Sequence, residues 1–427
     1  MRFQTLADWL DWQERLNPRG IELGLARVRQ VLDRLDLRQP DYRVLTIAGT
    51  NGKGSTASYA AAILQQHGLR TGRYLSPHIQ RYNERIAIDG VDASDDALCA
   101  AFAAVDEARG DIQLTYFEFG TLAALWLFRE REVDVAVLEV GLGGRLDAVN
   151  AVDPDVAAVV SVGLDHMDWL GDDIETIGSE KAGIFRRGRP ALYAGSEPPH
   201  SVRARASATG ANFIRAGEDY HWKRDGRQFD WWDSHCRLAE LPLPALLGDH
   251  QLGNASLAIA CVVQLLTVMD RDVAVDAVGR GLAAVRLPGR LQQISEQPEI
   301  LLDAGHNRAA AEMLAAYLAG RSGRRICLLG MLADKNPGEF RAALEPVVDE
   351  WWFVTLGGTR GQTAETLAGR AGLPAEIPSR CFDDMAEALE AFGTNFQAED
   401  CLLVTGSFQT VQLALDSGLY SAASGQD

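Results

Sequence analysis

The sequence predicts an α/β protein in two parts: a larger N-terminal domain on a parallel-rich sheet and a smaller C-terminal α/β domain. Three observations lead there. Short runs rich in Val, Leu and Ile, RVLTIAG (43–49), VDVAVLEV (133–140) and DVAAVVSVG (155–163), lack strict alternation and read as strands buried on both faces. Helical periodicities lie between them, and the alternation of strand and helix is the pattern of a doubly wound sheet. A chain of 427 residues also exceeds one ordinary core.

Taken in order, the 43–49 strand leads to a helix from Ser55 to His67, where Tyr59, Ala60, Ile63 and Leu64 recur at helical spacing and Gly68 supplies a stop. Residues 190–245 are less regular, but HWKRDGRQFDWW sets an Asp-Gly turn between aromatic arms and reads as a hairpin. Helical patterns return at 250–266 and 272–284, and Pro288-Gly289 then breaks them. A second strand–helix series follows, with candidate strands at 299–305, 324–331, 350–357 and 400–407, a Rossmann-like order. The division is placed at residue 295, giving domains 1–294 and 295–427, and the polar SAASGQD end is expected to fray.

Composition excludes several classes. A net charge of −18 argues against a nucleic-acid partner, since phosphate backbones demand basic surfaces. Six cysteines without a CxxC pair suit reduced thiols better than disulfides or a zinc site. The opening MRFQTLADWLDWQERL carries acidic residues and fits neither a secretory signal nor a transit peptide. No apolar run approaches the ~20 residues of a membrane span. These readings together place the protein in the cytoplasm.

The chemistry begins at TIAGTNGKGST, 46–56. The common P-loop has a Gly five residues before its Gly-Lys pair and a Ser or Thr after it, whereas this stretch has Ile47 and Gly54 there. It nevertheless leaves a strand and enters a helix. Gly49, Gly52 and Gly54 free the backbone to turn N–H groups toward an anion, and Lys53 adds a charge at the helix entrance. Ser55 or Thr56 offers a hydroxyl to Mg²⁺. An ordinary Gly-rich turn is the alternative, and the placement of Lys53 favours phosphate. Glu139 ends the second apolar run and His166 follows the third, so three strand ends share one edge. Singly, Glu139 reads equally as a solvated strand end and His166 as a structural hydrogen-bonder.

GTNGKGS (49–55), LSPHIQRYNERI (75–86), LEVGLGGRLDAVN (138–150), GLDHMDWLG (163–171), SEKAGIF (179–185), LPGRLQ, LLDAGHNRAA, GMLADK and VTGSFQT run nearly end to end. In that order they resemble the folylpolyglutamate synthase/dihydrofolate synthase family of the Mur ligase superfamily. The resemblance implies an N-terminal P-loop ATPase-like domain and a C-terminal glutamate-ligase domain. It implies an enzyme in which ATP phosphorylates a folate carboxylate and the amine of L-glutamate attacks the acyl phosphate. It implies that Thr50, Asn51, Gly52, Lys53, Gly54 and Ser55 cradle the phosphates of ATP. Ser76 and Glu139, with Ser55 nearby, would hold one Mg²⁺ and His166 a second. Lys181 matches a lysine often carbamylated in this family, a change that turns a repelling ammonium into an oxygen donor. Asn254 would meet adenine, Arg290 a phosphate and Asp303 the ribose, while Lys53, Lys181 and His306 would serve the chemistry. ATP would then lie between the domains, with closure completing the site.

For the acceptor, IELGL (21–25) and LTYFEFG (114–120) resemble the dihydropteroate-binding segments of the bifunctional bacterial enzymes. Glu22, Leu23, Gly24, Thr115, Tyr116, Phe117, Glu118, Leu146, Asp147 and Ala148 are the implied contacts. Phe117 would stack on the pterin and Asp147 would accept from its amino-pyrimidine edge; the alternative for Phe117 and Phe119 is core. The implied partners are dihydropteroate, tetrahydrofolate and its polyglutamates, and L-glutamate, acting on a monomer. Three positions depart from the family pattern. Arg308 stands where Pro usually follows Asn307, Gln409 where His is common, and Arg360 lacks its preceding Pro. Two rival readings stand beside this one: a ligase of cell-wall precursors, and a nucleotide-dependent switch without chemistry.

Overall fold

A computed structural model describes residues 2–17 and 22–417; Ile21 of the IELGL segment and the terminal SAASGQD lie outside the described residues. The chain separates into two compact units, Met1–Ala245 with Gln251–Val285, and Leu246–His250 with Arg286–Asp427. The changeover at Val285–Arg286 falls ahead of the expected 294/295 division. The reason is a strand, Gln292–Glu296, whose partner Glu299–Asp303 belongs to the second unit's sheet.

The first unit holds an eight-stranded sheet of β1 (Arg43–Ala48), β2 (Thr71–Tyr74), β3 (Ile86–Ile88), β4 (Val91–Asp92), β5 (Val135–Glu139), β6 (Val156–Val159), β7 (Pro190–Tyr193) and β8 (Asn212–Arg215), in the order β4-β3-β2-β5-β1-β6-β7-β8. Pairing is parallel from β2 through β8, and antiparallel at β2–β3 and β3–β4. The apolar runs become β1, β5 and β6, of which β5 and β6 are wholly buried. The four-residue strands TGRY, PALY and NFIR carry too little apolar pattern to be read as strands; their pairing partners decide them.

From β1 the chain crosses to β2 on one side, while β6 to β8 build outward on the other. β1 therefore lies at a topological switch point, flanked by β5 and β6, the place where open α/β sheets take ligands. The helix Lys53–Gln66 leaves β1, and the helix Tyr116–Glu130 covers the sheet closely. A Cβ at Gly72 in β2 would fall 2.4 Å from the Phe128 ring.

The expected hairpin forms from β9 (Tyr220–Asp225) and β10 (Gln228–Asp233), joined by β11 (Arg237–Pro242) into an antiparallel ribbon. Trp231 anchors it by donating from its indole N–H to the Ser256 carbonyl at 3.1 Å. Ser256 lies in the helix His250–Val268, which by length and hydropathy could cross a membrane, contrary to the expectation that no run approaches that size. Its window is 72% buried in the protein, as a core helix would be.

The second unit carries β12 (Gln292–Glu296), β13 (Glu299–Asp303), β14 (Arg325–Leu329), β15 (Glu350–Val354), β16 (Ser379–Phe382) and β17 (Cys401–Thr405) in the order β12-β13-β17-β14-β15-β16. All pairs but β12–β13 are parallel. Leu301, Cys327, Trp351, Phe353 and Leu403 form its core with helices on the sheet faces.

Candidate active site

The phosphate loop is shaped by two glycines in the left-handed region. Gly52 (φ 85°) caps the helix that begins at Lys53. A Cβ there would lie 2.5 Å from Asn254 Oδ1 and 2.8 Å from Val160 Cγ1, and one at Gly49 would press on Val160 and Ser161. Only glycine lets the loop pass this closely. The loop is stitched to the segment after β6. Thr50 N donates to the Ser161 carbonyl at 2.9 Å, Asn51 N donates to Ser161 Oγ at 2.9 Å, and Thr50 Oγ1 both accepts from Gly163 N and donates to Gly163 O. Ser161 was not singled out in the sequence, because a serine after a strand carries no signal of its own.

Lys53 curls back to donate to the Thr50 carbonyl at 3.1 Å. Gly54 and Ser55 are buried in the first helical turn. Asn254, expected at adenine, lies against the loop and donates to Gln251 Oε1 at 3.0 Å; Gln251 in turn reaches Ser55 Oγ at 3.4 Å. This chain of buried polar groups ties the helix His250–Val268 to the loop, and Gln251 is a member that sequence reasoning missed.

Glu139, 4% exposed, ends β5 in register with Ile47 of β1 and accepts from Ser76 N at 3.0 Å. That bond brings the SPH segment to the strand end, so Ser76 and Glu139 are neighbours as expected. His166 sits in the left-handed region (φ 53°) at the start of a short helix, with its side chain 43% exposed. Its backbone N–H donates to the carboxylate of Asp165.

Lys181 is the most informative residue of the site. It lies at the end of the helix Ile174–Lys181, is 4% exposed, and donates to the Gly49 carbonyl at 3.0 Å, beneath the phosphate loop. Burial, and then the nearby charge of Lys53, pull its pKa down to about 7 against the opposing pull of Asp165. A substantial fraction is therefore the neutral amine near neutral pH.

The acceptor-side residues form a second cluster from three segments. Gly24 N donates to the Leu146 carbonyl at 3.3 Å, and the Phe117 ring lies where a Cβ at Gly141 would stand 2.6 Å away. Phe117 is half-buried near Tyr74, whereas Phe119 is fully buried core. Thr115 and Glu118 form a capping box at the start of the helix Tyr116–Glu130. Glu118 and Glu22 both pair with Arg27, at 2.9 and 2.7 Å. These two carboxylates are thus engaged by the protein. Leu23, Tyr116 and Leu146 are half-buried, and Ala148 is buried. Tyr116 stacks near Arg85, which also lies over Tyr82 and donates to His78 Nδ1 at 2.8 Å.

Asp147 is 3% exposed and accepts from Leu142 N and Val149 N at 2.8 and 3.0 Å. Burial pushes its pKa up to about 7, and these backbone N–H groups only partly offset that. It can therefore change charge near neutral pH.

In the second unit, Asp303 is buried at the end of β13 and accepts from Leu291 N and Gly305 N, each at 2.8 Å. It braces the LPGR turn, where Leu291 holds φ 45°, against the loop carrying His306. Burial raises its pKa, with Arg290 opposing. Arg290 stacks over Phe408 at 4.8 Å, and His306 Nδ1 lies 3.0 Å from the Ala304 carbonyl. Arg308 occupies the first position of the helix Arg308–Leu318, which Asn307 caps, so the turn keeps its form without Pro. Gln409 donates to the Gly357 carbonyl, and Arg360 is exposed.

The donor set suits Mg²⁺ bound with a nucleotide. Among the described residues no three His, Cys, Asp or Glu side chains gather as a closed metal site. Mg²⁺ held by one or two protein oxygens, water and phosphates needs none, and Glu139, with Ser76 beside it, could contribute to such an open set.

A phosphate loop at the switch point of one sheet, in a chain with a second α/β unit and matches to both Mur ligase domains, is that of an ATP-dependent ligase of the Mur type. Residues 47–262 match the Mur ligase middle domain and residues 289–408 the Mur ligase glutamate ligase domain. The chain is 43% identical over 408 residues to the dihydrofolate synthase/folylpolyglutamate synthase of Escherichia coli, covering 95% of this chain and 94% of that protein. It matches a solved structure of E. coli FolC in complex with DHPP and ADP (TM-score 0.91, 43% identity, 97% of each chain). It also matches the Yersinia pestis bifunctional enzyme complexed with AMPPNP and Mn (TM-score 0.90, 42% identity, 97% and 98% of the chains). The chain belongs to the dihydrofolate synthase/folylpolyglutamate synthase family. It is an ATP-dependent ligase that joins glutamate to a folate-type acid.

Proposed function

We propose that this chain adds L-glutamate to dihydropteroate, giving dihydrofolate, and to tetrahydrofolate and its polyglutamates, giving longer folylpolyglutamates, as a cytoplasmic monomer. The observation that carries this reading is the convergence of the phosphate loop, Glu139 and buried Lys181 on the carboxyl edge of adjacent strands β5, β1 and β6.

A carboxylate resists a nucleophile because its charge repels one and its oxygen leaves poorly. Transfer of the γ-phosphoryl group of ATP to it forms an acyl phosphate and releases ADP. The glutamate amine then attacks the acyl carbon, the C–O bond to phosphate breaks, and phosphate departs as the amide forms. Positioning and electrostatics supply most of this catalysis. The backbone N–H groups of Gly52, Lys53 and Gly54 orient the phosphates while Thr50 and Asn51 hold the loop to Ser161, and Lys53 balances charge on the phosphates. Ser76, Glu139 and Ser55 would hold one Mg²⁺ and His166 a second, and metal bound there would supply charge neutralisation at the phosphates. Asn254, Arg290 and Asp303 serve the nucleotide, and His306 the reacting phosphate.

Lys181 acts as a carbamate. Its neutral amine attacks CO₂, an N–C bond forms as one C=O π bond opens onto oxygen, and the amine loses a proton; the resulting anion would offer an oxygen donor to a metal where an ammonium would repel it. The buried position and the depressed pKa support this reading. Phe117 stacks on the pterin, and ionised Asp147 accepts from its amino-pyrimidine edge, with residues 22–24 closing the pocket.

Phosphate release from ATP with L-glutamate, measured with dihydropteroate, with tetrahydrofolate and with no acceptor, tests the function. Release with both acceptors is expected. Release with tetrahydrofolate alone would withdraw the dihydropteroate pocket, and no stimulation by either would overturn the substrate reading.

A further inference from the structure

We propose that Arg27 is a positioning residue that assembles the dihydropteroate pocket and thereby sets the balance between the two glutamate-adding activities. This rests on the pocket reading above. Arg27 touches no reacting group in that reading; it acts through the segments it joins.

The pocket residues come from three stretches distant in sequence, and one guanidinium holds two of them. Arg27 Nη1 donates to Glu22 Oε1 at 2.7 Å, and Nη2 donates to the Glu22 carbonyl at 2.8 Å. On its other side Nη2 donates to Glu118 Oε1 at 2.9 Å, with Nε 3.4 Å from Oε2. Glu118 Oε2 also accepts from Thr115 N at 2.8 Å, so the same carboxylate sets the start of the helix that presents Phe117. The segment held at Glu22 reaches the third stretch through Gly24 N and the Leu146 carbonyl, one residue before Asp147. The Glu118 side chain is 5% exposed. Without Arg27 its carboxylate would be left buried with little compensation, and residues 22–24 would lose their anchor. A planar fork is required, because a lysine ammonium is a point charge that cannot engage both carboxylates and a carbonyl in fixed directions.

The two acceptors depend on this pocket unequally. Dihydropteroate carries its reacting carboxylate directly on the benzoate ring, so a displaced pterin displaces the carboxylate with it. A reduced folate reacts at the end of a flexible glutamyl side chain, which absorbs such a shift. The phosphate loop is fastened by its own bonds to Ser161, Gly163 and Lys181, so nucleotide binding is spared.

Steady-state kinetics on the full chain test this with R27M, R27K and F117A, alongside thermal unfolding. The expected result for R27M is a rise of about tenfold or more in KM for dihydropteroate, the scale of an unpaired buried charge. The rise for tetrahydrofolate should be smaller, the KM for ATP should stay within about twofold, and R27K should fall between R27M and the parent. An unchanged KM for dihydropteroate, or an equal loss with both acceptors, would overturn the proposal. F117A separates the two ideas. If F117A weakens dihydropteroate and R27M does not, the pocket stands and the role of Arg27 falls; if neither weakens it, the pocket reading itself fails. Should R27M not fold, Glu22→Gln at the less buried end of the fork provides the same comparison.

Discussion

The phosphate loop and the proposed acceptor pocket lie in the same unit but are built in different ways. The loop is a single stretch from Gly49 to Ser55, shaped by glycine backbone angles and fastened by short hydrogen bonds to Ser161, Gly163 and Lys181. The pocket is gathered from residues 22–27, 115–118 and 141–148, and side-chain ion pairs hold it. A site made of one stretch tolerates little variation in sequence and so announces itself. A site made by side-chain clamps between distant stretches is tunable, and its controlling residue need not touch the ligand.

The sharpest way to break this contrast is Lys53→Ala, which should lower ATP-dependent ligation with either acceptor by about 10²–10³, the loss expected for a preorganised charge at a phosphoryl transfer. Phosphate release reads it directly, and a variant that still ligates glutamate would remove the loop from the mechanism. Next comes Lys181. Carbon dioxide depletion should reduce activity by about tenfold, and bicarbonate should restore it. Its pKa of about 7 sets the direction: above that pH the amine is neutral and carbamate forms, and below it the ammonium prevails, so restoration should weaken as pH falls from 8 to 6. A response unaltered by bicarbonate would count against the carbamate.

A smaller effect should separate the two regions by pH. Asp147, raised to about 7, gains its proton as pH drops through that value, and if it meets the pterin as proposed it then becomes a poorer acceptor for the amino-pyrimidine edge. The KM for dihydropteroate should therefore rise several-fold, about one hydrogen bond's worth, between pH 8 and 6. In Asp147→Asn that dependence should vanish; a slope that persists in the variant would assign the titration elsewhere. The smallest effect belongs to the second unit. Arg308→Pro, at the first position of a capped helix and with only the exposed Glu312 pair to lose, should change stability by less than about 0.5 kcal/mol in thermal unfolding.

Much of this was legible in the residues, and the failures are local. GTNGKGS, Glu139 and His166 stand out at strand ends, Lys181 only through the family resemblance, and β5, β1 and β6 do stand side by side. Glu22 and Glu118 were named as acceptor contacts, yet Arg27 claims both carboxylates, a fact that no spacing reveals. Ser161 and Gln251 went unnoticed because a lone Ser or Gln has no pattern; each matters through a partner 110 or 196 residues away. β12 is short and polar, so only its pairing with β13 assigns it to the second unit, which begins ahead of residue 295.

By itself the sequence determined what depends on neighbours within a few positions. Gly52 must turn left-handed before the Lys53 helix, Thr115 and Glu118 cap each other three residues apart, and the unbroken apolar runs must be buried strands. Tertiary structure alone decided that Lys181 is buried against Gly49, 132 residues away, and that Arg27 reaches Glu118 across 91. Backbone angles and caps are short-range energies written residue by residue. Desolvation and charge pairing exist only once packing excludes water, and that packing shifts Lys181 and Asp147 toward neutral pH.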